Sequence, residues 1–234
     1  MGANMHERLW CVACVVSFLG AVPGCDRSKS HRSTHPNGRT MEEYRYRIAP
    51  DGDTLVEGHY QRFYASGGKA EEGWFVDGKK DSLWRCWDSI TGDKTLEETW
   101  RVGVLHGEHW RLERSSSEYS QGVYANGRKE GKWKEALVID GRNAGWHEGC
   151  YRNDLREGVW VEHPIEGRSV KYVNHGLYHR GVKHGVWLRR HALGGRWSLA
   201  HCERDVYEFG RLVQTATPCG DSARAVVVNA EGCE

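Results

Sequence analysis

The chain has 234 residues, enough for one or two domains. Its 29 Gly, 11 Trp and 10 Tyr exclude a long helix or coiled coil, where each interior Gly costs roughly 1 kcal/mol, and plain disorder, which is poor in aromatics. The 33 Lys and Arg against 32 Asp and Glu leave a net charge of +1, without the concentrated basic face that nucleic-acid binding requires.

Arg8 precedes an apolar run of 14 residues, Leu9 to Val22. That is short of the ~20 residues that span a bilayer as a helix, but it fits a secretory signal core of ~7–15 residues. Cys11 and Cys14 lie inside this core, so their C-x-x-C spacing carries no redox or metal meaning. The run closes on Val22-Pro23-Gly24-Cys25. This resembles the lipobox of bacterial lipoproteins, with an aliphatic residue three before the cysteine and a small residue directly before it; Pro23 departs from the usual small residue. The resemblance implies that residues 1–24 are a removed signal peptide and that Cys25 is the lipidated new N-terminus. Each buried methylene of such an anchor contributes ~0.8 kcal/mol. It further implies a protein of the bacterial cell envelope, held at the membrane on the exported side. Asp26 would imply inner-membrane retention under the enterobacterial rule. Ordinary secretory cleavage, with a secreted or periplasmic product, is the alternative. Residues 25–43 are polar, carry a net +3 through residue 40 and lack apolar periodicity; they read as a disordered tether.

From residue 44 to 200 the sequence repeats. GVYANGRKEGKW (122–133), GCYRNDLREGVW (149–160) and GLYHRGVKHGVW (176–187) align without gaps in the frame G-x-Y-x-x-G-x-x-x-G-x-W. GWFVDGKKDSLW (73–84) is a fourth copy, with Phe75 for Tyr and Ser82 for Gly. A looser fifth runs from Trp100 to Trp110, with Trp for Tyr and one extra residue before the last Trp. The closing Trp residues, at 84, 110, 133, 160 and 187, are 26, 23, 27 and 27 apart. Degenerate copies are expected to end at Gly58-His-Tyr60 and to begin at Tyr207-Glu-Phe-Gly210. Charge alternates along this body, from −5 over residues 41–120 to +5 over 121–190 and −2 over 191–234.

Each unit reads as a β-hairpin. Asp77-Gly78 and Asn126-Gly127 reach positive φ cheaply, as tight hairpin turns demand. Gly78, Gly103, Gly127, Gly131, Gly158, Gly181 and Gly185 are taken as the repeat-turn residues. Folding back brings Tyr124 and Trp133 onto one face, where aromatic cross-strand pairs contribute ~0.2–1 kcal/mol each. One hairpin is marginal in water, whereas a stack of them sums its neighbour terms. The expected fold is all-β: an elongated, single-layer antiparallel sheet of stacked hairpins. Phe75, Trp84, Trp100, Trp110, Tyr124, Trp133, Tyr151, Trp160, Tyr178 and Trp187 are its candidate core aromatics. A tail over residues 201–234 would cap it, with Ala225-Val226-Val227-Val228 pairing as a final strand.

These units resemble MORN repeats, more closely the bacterial MORN-variant repeats, over about Gly58 to Phe209. The resemblance implies a scaffold or partner-binding surface and, through some members, contact with phospholipids. The balanced charge lends the lipid link no independent support.

Candidate chemistry is sparse. The rings could stack on sugars or cage cationic head groups, as in choline- and glucan-binding repeats; a solvent-facing row of Trp would favour that reading and burial would remove it. His106, His175, His179 and His184 read as solvated loop residues, since metal sites need three or four convergent ligands. Glu130 and Glu157 fall at one loop slot of the frame. Export permits disulfides among Cys86, Cys150, Cys202, Cys219 and Cys233. Cys86 and Cys150 read as small thiols within strands, with one bridge expected in the tail. No G-x-S-x-G, P-loop or dinucleotide fingerprint occurs in the sequence. The expectation is a non-catalytic exported lipoprotein without cofactor or metal, a scaffold for a protein partner or envelope component. The alternatives are a carbohydrate or head-group module and an antitoxin-like inhibitor.

Overall fold

A computed structural model describes residues 28–113, 118–139, 142–166, 169–170, 172–193, 196–218 and 233. The expected signal peptide, residues 1–24, and Cys25 lie outside these residues, as does Ala225–Val228. Among the described residues sixteen strands follow one another: β1 (Lys29–Thr34), β2 (Thr40–Ile48), β3 (Thr54–Phe63), β4 (Lys69–Val76), β5 (Lys79–Trp87) and β6 (Lys94–Arg101). Next come β7 (Val104–Glu113), β8 (Glu118–Ala125), β9 (Arg128–Ile139), β10 (Arg142–Arg152), β11 (Leu155–Glu166) and the two-residue β12 (Ser169–Val170). The last four are β13 (Tyr172–His179), β14 (Val182–Leu193), β15 (Arg196–Glu208) and β16 (Arg211–Pro218). Apart from β12, which pairs only with β11, each strand lies antiparallel beside its sequence neighbour in one open sheet.

The turns impose this order. Asp77-Gly78, Val102-Gly103, Asn126-Gly127, Asn153-Asp154, Arg180-Gly181 and Phe209-Gly210 all have positive φ at both positions, from 45° to 83°. Such two-residue turns match the right-handed twist of paired strands, so each closes a hairpin without splaying it. Because hairpins alternate, these turns all emerge at one edge of the sheet. The degenerate first and last units are present: Tyr60 enters the ring column of the intact units, and Tyr207 precedes the final turn.

Two expected boundaries move. The tether of residues 25–43 is sheet from Lys29 onward, where β1 pairs with β2 from Lys29↔Tyr46 to Thr34↔Thr40. Backbone ladder bonds need no apolar alternation, and His31 extends the ring column by stacking on Tyr44 at 4.6 Å. At the other end β15 and β16 carry the sheet to Pro218, through the segment expected as a cap.

Gly131, Gly158 and Gly185, expected in turns, instead lie within β9, β11 and β14 at φ 67°, 68° and 67°. They open β-bulges. Gln121 pairs with Lys134 and Val123 with Glu130, so one residue of β8 faces three of β9. The same skip recurs between His175↔Leu188 and Leu177↔His184. It turns the following Trp onto the face that carries the frame Tyr.

Candidate functional site

That face, the front, carries a spine of rings. The first Gly of the frame makes it possible. A Cβ on Gly122 would stand 2.5 Å from Trp133 Cγ, and one on Gly176 equally close to Trp187 Cγ; Gly73 and Gly149 face Trp84 and Trp160 in the same way. Each indole therefore lies flat on a bare Cα of the adjacent strand. Its Nε1 donates to the carbonyl of the residue after that Gly: Trp84 to Trp74 at 3.1 Å, Trp133 to Val123 at 3.2 Å, Trp160 to Cys150 at 3.1 Å and Trp187 to Leu177 at 3.0 Å. The frame Tyr or Phe meets the ring edge-on, with centroids 4.9 to 5.3 Å apart from Phe75–Trp84 to Tyr178–Trp187. The next unit's Tyr follows at 5.8 Å in Trp160–Tyr178. Trp84, Trp133, Trp160 and Trp187 are 1, 1, 0 and 4% exposed.

A single layer buries rings so completely because charged stems lie over them. Lys80, Lys129, Arg156 and Lys183, each four residues before its Trp, sit 4.0, 4.5, 4.5 and 3.8 Å from the ring centroids. Cation–π contacts of this kind contribute ~0.5–2 kcal/mol. Carboxylates in turn hold the cations. Lys80 Nζ reaches Glu71 at 3.2 Å, Lys183 Nζ reaches Glu162 at 3.3 Å, and Lys129 pairs with Glu135. Glu135 also accepts from the Tyr151 hydroxyl at 2.7 Å and faces His147 Nε2 at 3.6 Å. Burial alone would raise its pKa; hydrogen bonds from His147, Lys129 and Tyr151 overcome that and hold it at about 2. Burial, with the Glu135 charge, pushes Tyr151 up to about 12. This cation row was legible in the sequence as a basic residue at one frame slot in four units.

The slot before the bulge Gly has a different task. Its side chain accepts the backbone N–H of the next unit's turn: Asp77 to Glu57 at 3.0 Å, Val102 to Asp81 at 2.9 Å, Asn153 to Glu130 at 2.9 Å and Arg180 to Glu157 at 2.9 Å. A backbone bond one step on completes the joint, as from Gly181 N to Arg156 O at 2.8 Å. Glu130 and Glu157 are therefore inter-unit fasteners. His106 fills the same slot, its Nδ1 3.4 Å from Asn126 N.

The third unit departs from the frame. The slot expected for Trp110 is held by His109, 7% exposed and stacked on Trp133 at 5.5 Å, while Trp110 points to the back. The insertion inferred from the sequence is in fact this one-residue offset. Where the other units have the bare Gly, this one has Glu98, whose Oε1 lies 3.5 Å from His109 Nδ1. Trp100 keeps the Tyr slot, its Nε1 donating to Glu98 Oε2 at 3.1 Å. A carboxylate and an imidazole together fill the space that an indole on glycine fills elsewhere.

Three other expectations change. His175 is not a solvated loop residue but 8% exposed within β13. His179 and His184 also lie in strands, His179 exposed and 3.0 Å from Glu157. Cys150 is not a thiol: it forms a disulfide with Cys233, Cα atoms 5.6 Å apart. Cys202 is also disulfide-bonded. Cys86 is free, and burial raises its pKa. Among the described residues no group of three His, Cys, Asp or Glu is placed to hold a metal ion.

Two open grooves line the middle of the sheet. One of about 550 Å³ on the front is lined by Arg111, Ser120, Lys129, Glu135, His147 and Arg156. The other, about 630 Å³, includes the back-face residues Lys94, Glu97, Trp110, Gln121, Lys134 and Glu148. Compared with known families and with curated proteins, the chain matches none.

Proposed function

We propose that the chain is a MORN-like repeat scaffold, exported and anchored through a lipid on Cys25, that binds a protein partner or another envelope component without catalysis. One observation carries this reading: the frame aromatics are consumed by the spine. With four indoles at most 4% exposed, the repeated residues hold the sheet together. The surface left for recognition is the set of charged and polar side chains that differ between units, arrayed on a broad sheet with shallow grooves. That surface suits a partner with an extended face of its own. The carbohydrate or head-group reading needs a row of rings open to solvent, which the frame does not supply.

The anchor and the binding are tested separately. Palmitate labelling is expected in the intact chain and not in Cys25→Ala, which should leave the membrane fraction. Photo-cross-linking in the producing cell, from probes replacing Arg111 and Lys134, is expected to trap one defined partner. Absence of the lipid refutes the anchor, and probes that trap nothing above background refute the scaffold.

A further inference from the structure

The third unit's departure from the frame does more than fill a seat. Glu98 in β6 is the register partner of His109 in β7, and His109 that of Gly122 in β8. Ser120 lies two residues before Gly122, so its side chain shares the front with both. Its Oγ stands 2.9 Å from His109 Nε2, and Glu98 Oε1 stands 3.5 Å from His109 Nδ1, across the ring. Hydroxyl, imidazole and carboxylate thus follow one another over three neighbouring strands. The frame does not supply this line elsewhere. At the slot of His109 it has Trp84, Trp133, Trp160 and Trp187, and at the slot of Glu98 a bare Gly. At the slot of Ser120 the chain elsewhere carries Glu71, Leu96, His147 and Asn174. Filling the indole seat accounts for Glu98 and His109; it does not account for a hydroxyl held on the free nitrogen of the ring.

The direction of each bond follows from the neighbours. Burial alone would raise the Glu98 pKa; hydrogen bonds from His109 and Trp100 hold it below the ordinary carboxylate value. An ionised carboxylate only accepts, so the His109 proton sits on Nδ1, and Nε2 is left to accept from the Ser120 hydroxyl. Stacking on Trp133 at 5.5 Å and an edge contact with Tyr124 at 5.4 Å fix the ring. A carboxylate that orients an imidazole, which in turn takes a proton from a hydroxyl, is the arrangement that activates a serine nucleophile. Ser120 is half-buried and lines the front groove, so a reagent in the groove meets its Oγ. Arg111, its register partner, lines the same groove and is exposed, and its guanidinium makes no hydrogen bond or ion pair with the described residues. Register partners hold their Cβ atoms ~5 Å apart, so this side chain is long enough to meet negative charge that develops on a carbonyl oxygen at Ser120.

We propose that Ser120 is an acylation site that takes its acyl group from an activated ester, with His109 as general base, Glu98 as the positioning residue and Arg111 beside the oxyanion. The Ser120 O–H bond breaks and its proton passes to His109 Nε2. The bond from Oγ to the acyl carbon forms, the bond from that carbon to the leaving oxygen breaks, and the leaving oxygen takes the proton from Nε2. The step ends at the acyl-serine, so it gives the scaffold a modification site and not a turnover activity. It depends on neither the anchor nor the partner.

The test incubates the full chain, disulfides intact, with p-nitrophenyl acetate and follows acetylation of each residue by mass spectrometry. Ser120 is expected to be acetylated about 100-fold faster than the exposed Ser89, the scale of general-base assistance. His109→Gln should remove that advantage, and Arg111→Gln, at an exposed position, should slow the reaction severalfold with urea unfolding unchanged. Glu98 is read separately, by nitrogen NMR of the His109 ring: the proton is expected on Nδ1 in the parent and shared between the two nitrogens in Glu98→Gln. Acetylation of Ser120 no faster than that of Ser89 in the folded parent, a comparison that needs no variant, overturns the proposal. A ring proton found on Nε2 in the parent, or a Ser120 rate indifferent to His109→Gln, overturns it equally.

Discussion

Gly122→Ala isolates the contact on which the spine depends. The new Cβ would stand 2.5 Å from Trp133 Cγ, against an ordinary carbon–carbon separation of ~3.5–4.0 Å, so ring or strand must move by roughly 1 Å. The ring has no room: it is 1% exposed, Lys129 lies 4.5 Å above it and Tyr124 stands 5.0 Å away. Overpacking of this kind costs ~1–3 kcal/mol. Displacing the indole also weakens the one hydrogen bond that its Nε1–H shares between the Val123 and Glu130 carbonyls, both 3.2 Å away, worth ~1 kcal/mol. Against this, Ala in place of Gly stiffens the unfolded chain by ~0.4–1 kcal/mol. The net expectation is a loss of ~1–3 kcal/mol, read from urea unfolding and from faster amide exchange across β8 and β9. The sign is the sharper test. With Trp133→Ala already present the clash is gone, and Gly122→Ala should become neutral or stabilising. Equal cost in the two backgrounds, or a loss below ~0.5 kcal/mol in the parent, refutes the idea that bare Cα atoms seat the indoles.

Three further outcomes are expected. Glu135 has a folded pKa of about 2 against an ordinary 4.5; a depressed carboxylate stabilises fully above its unfolded value and loses that contribution as pH falls towards 2. At ~1.4 kcal/mol per unit this is ~3 kcal/mol, so Glu135→Gln should flatten the acid side of the stability profile between pH 5 and 2, and a parallel wild-type profile would argue against the Lys129–Glu135–His147 network. Glu157→Ala removes the acceptor of the Arg180 amide, 2.9 Å away; ~1 kcal/mol of stability should go, with faster exchange at Arg180 but not at the Asn126 turn. His109→Trp alone should destabilise, because Glu98 occupies the seat, whereas Glu98→Gly with His109→Trp should recover wild-type stability or exceed it in thermal unfolding; additive effects would mean the two slots are not one site.

The repeat frame made much of the fold legible. A Gly, a Tyr and a Trp at fixed intervals, with Asn-Gly or Asp-Gly between them, state where the chain must reverse and which rings must meet, and the hairpins and the spine follow from local chemistry. Trp110 shows the limit. The sequence offers two adjacent aromatic-sized residues, His109 and Trp110, and only the strand register, in which His109 faces Gly122, decides which one enters the spine. Gly131, Gly158 and Gly185 show another: positive φ suits a turn and a bulge alike, and the pairing partner on the next strand distinguishes them.

Local periodicity therefore determined the units, their turns and their core, because each of these is closed by residues less than a dozen apart. What crosses between units was left to the tertiary structure. Glu157 reaches a turn amide 23 residues on, and Cys150 finds a partner 83 residues away. The interval between such residues in sequence carries no trace of their distance in space, since it is the stacking of the intervening strands that brings them together.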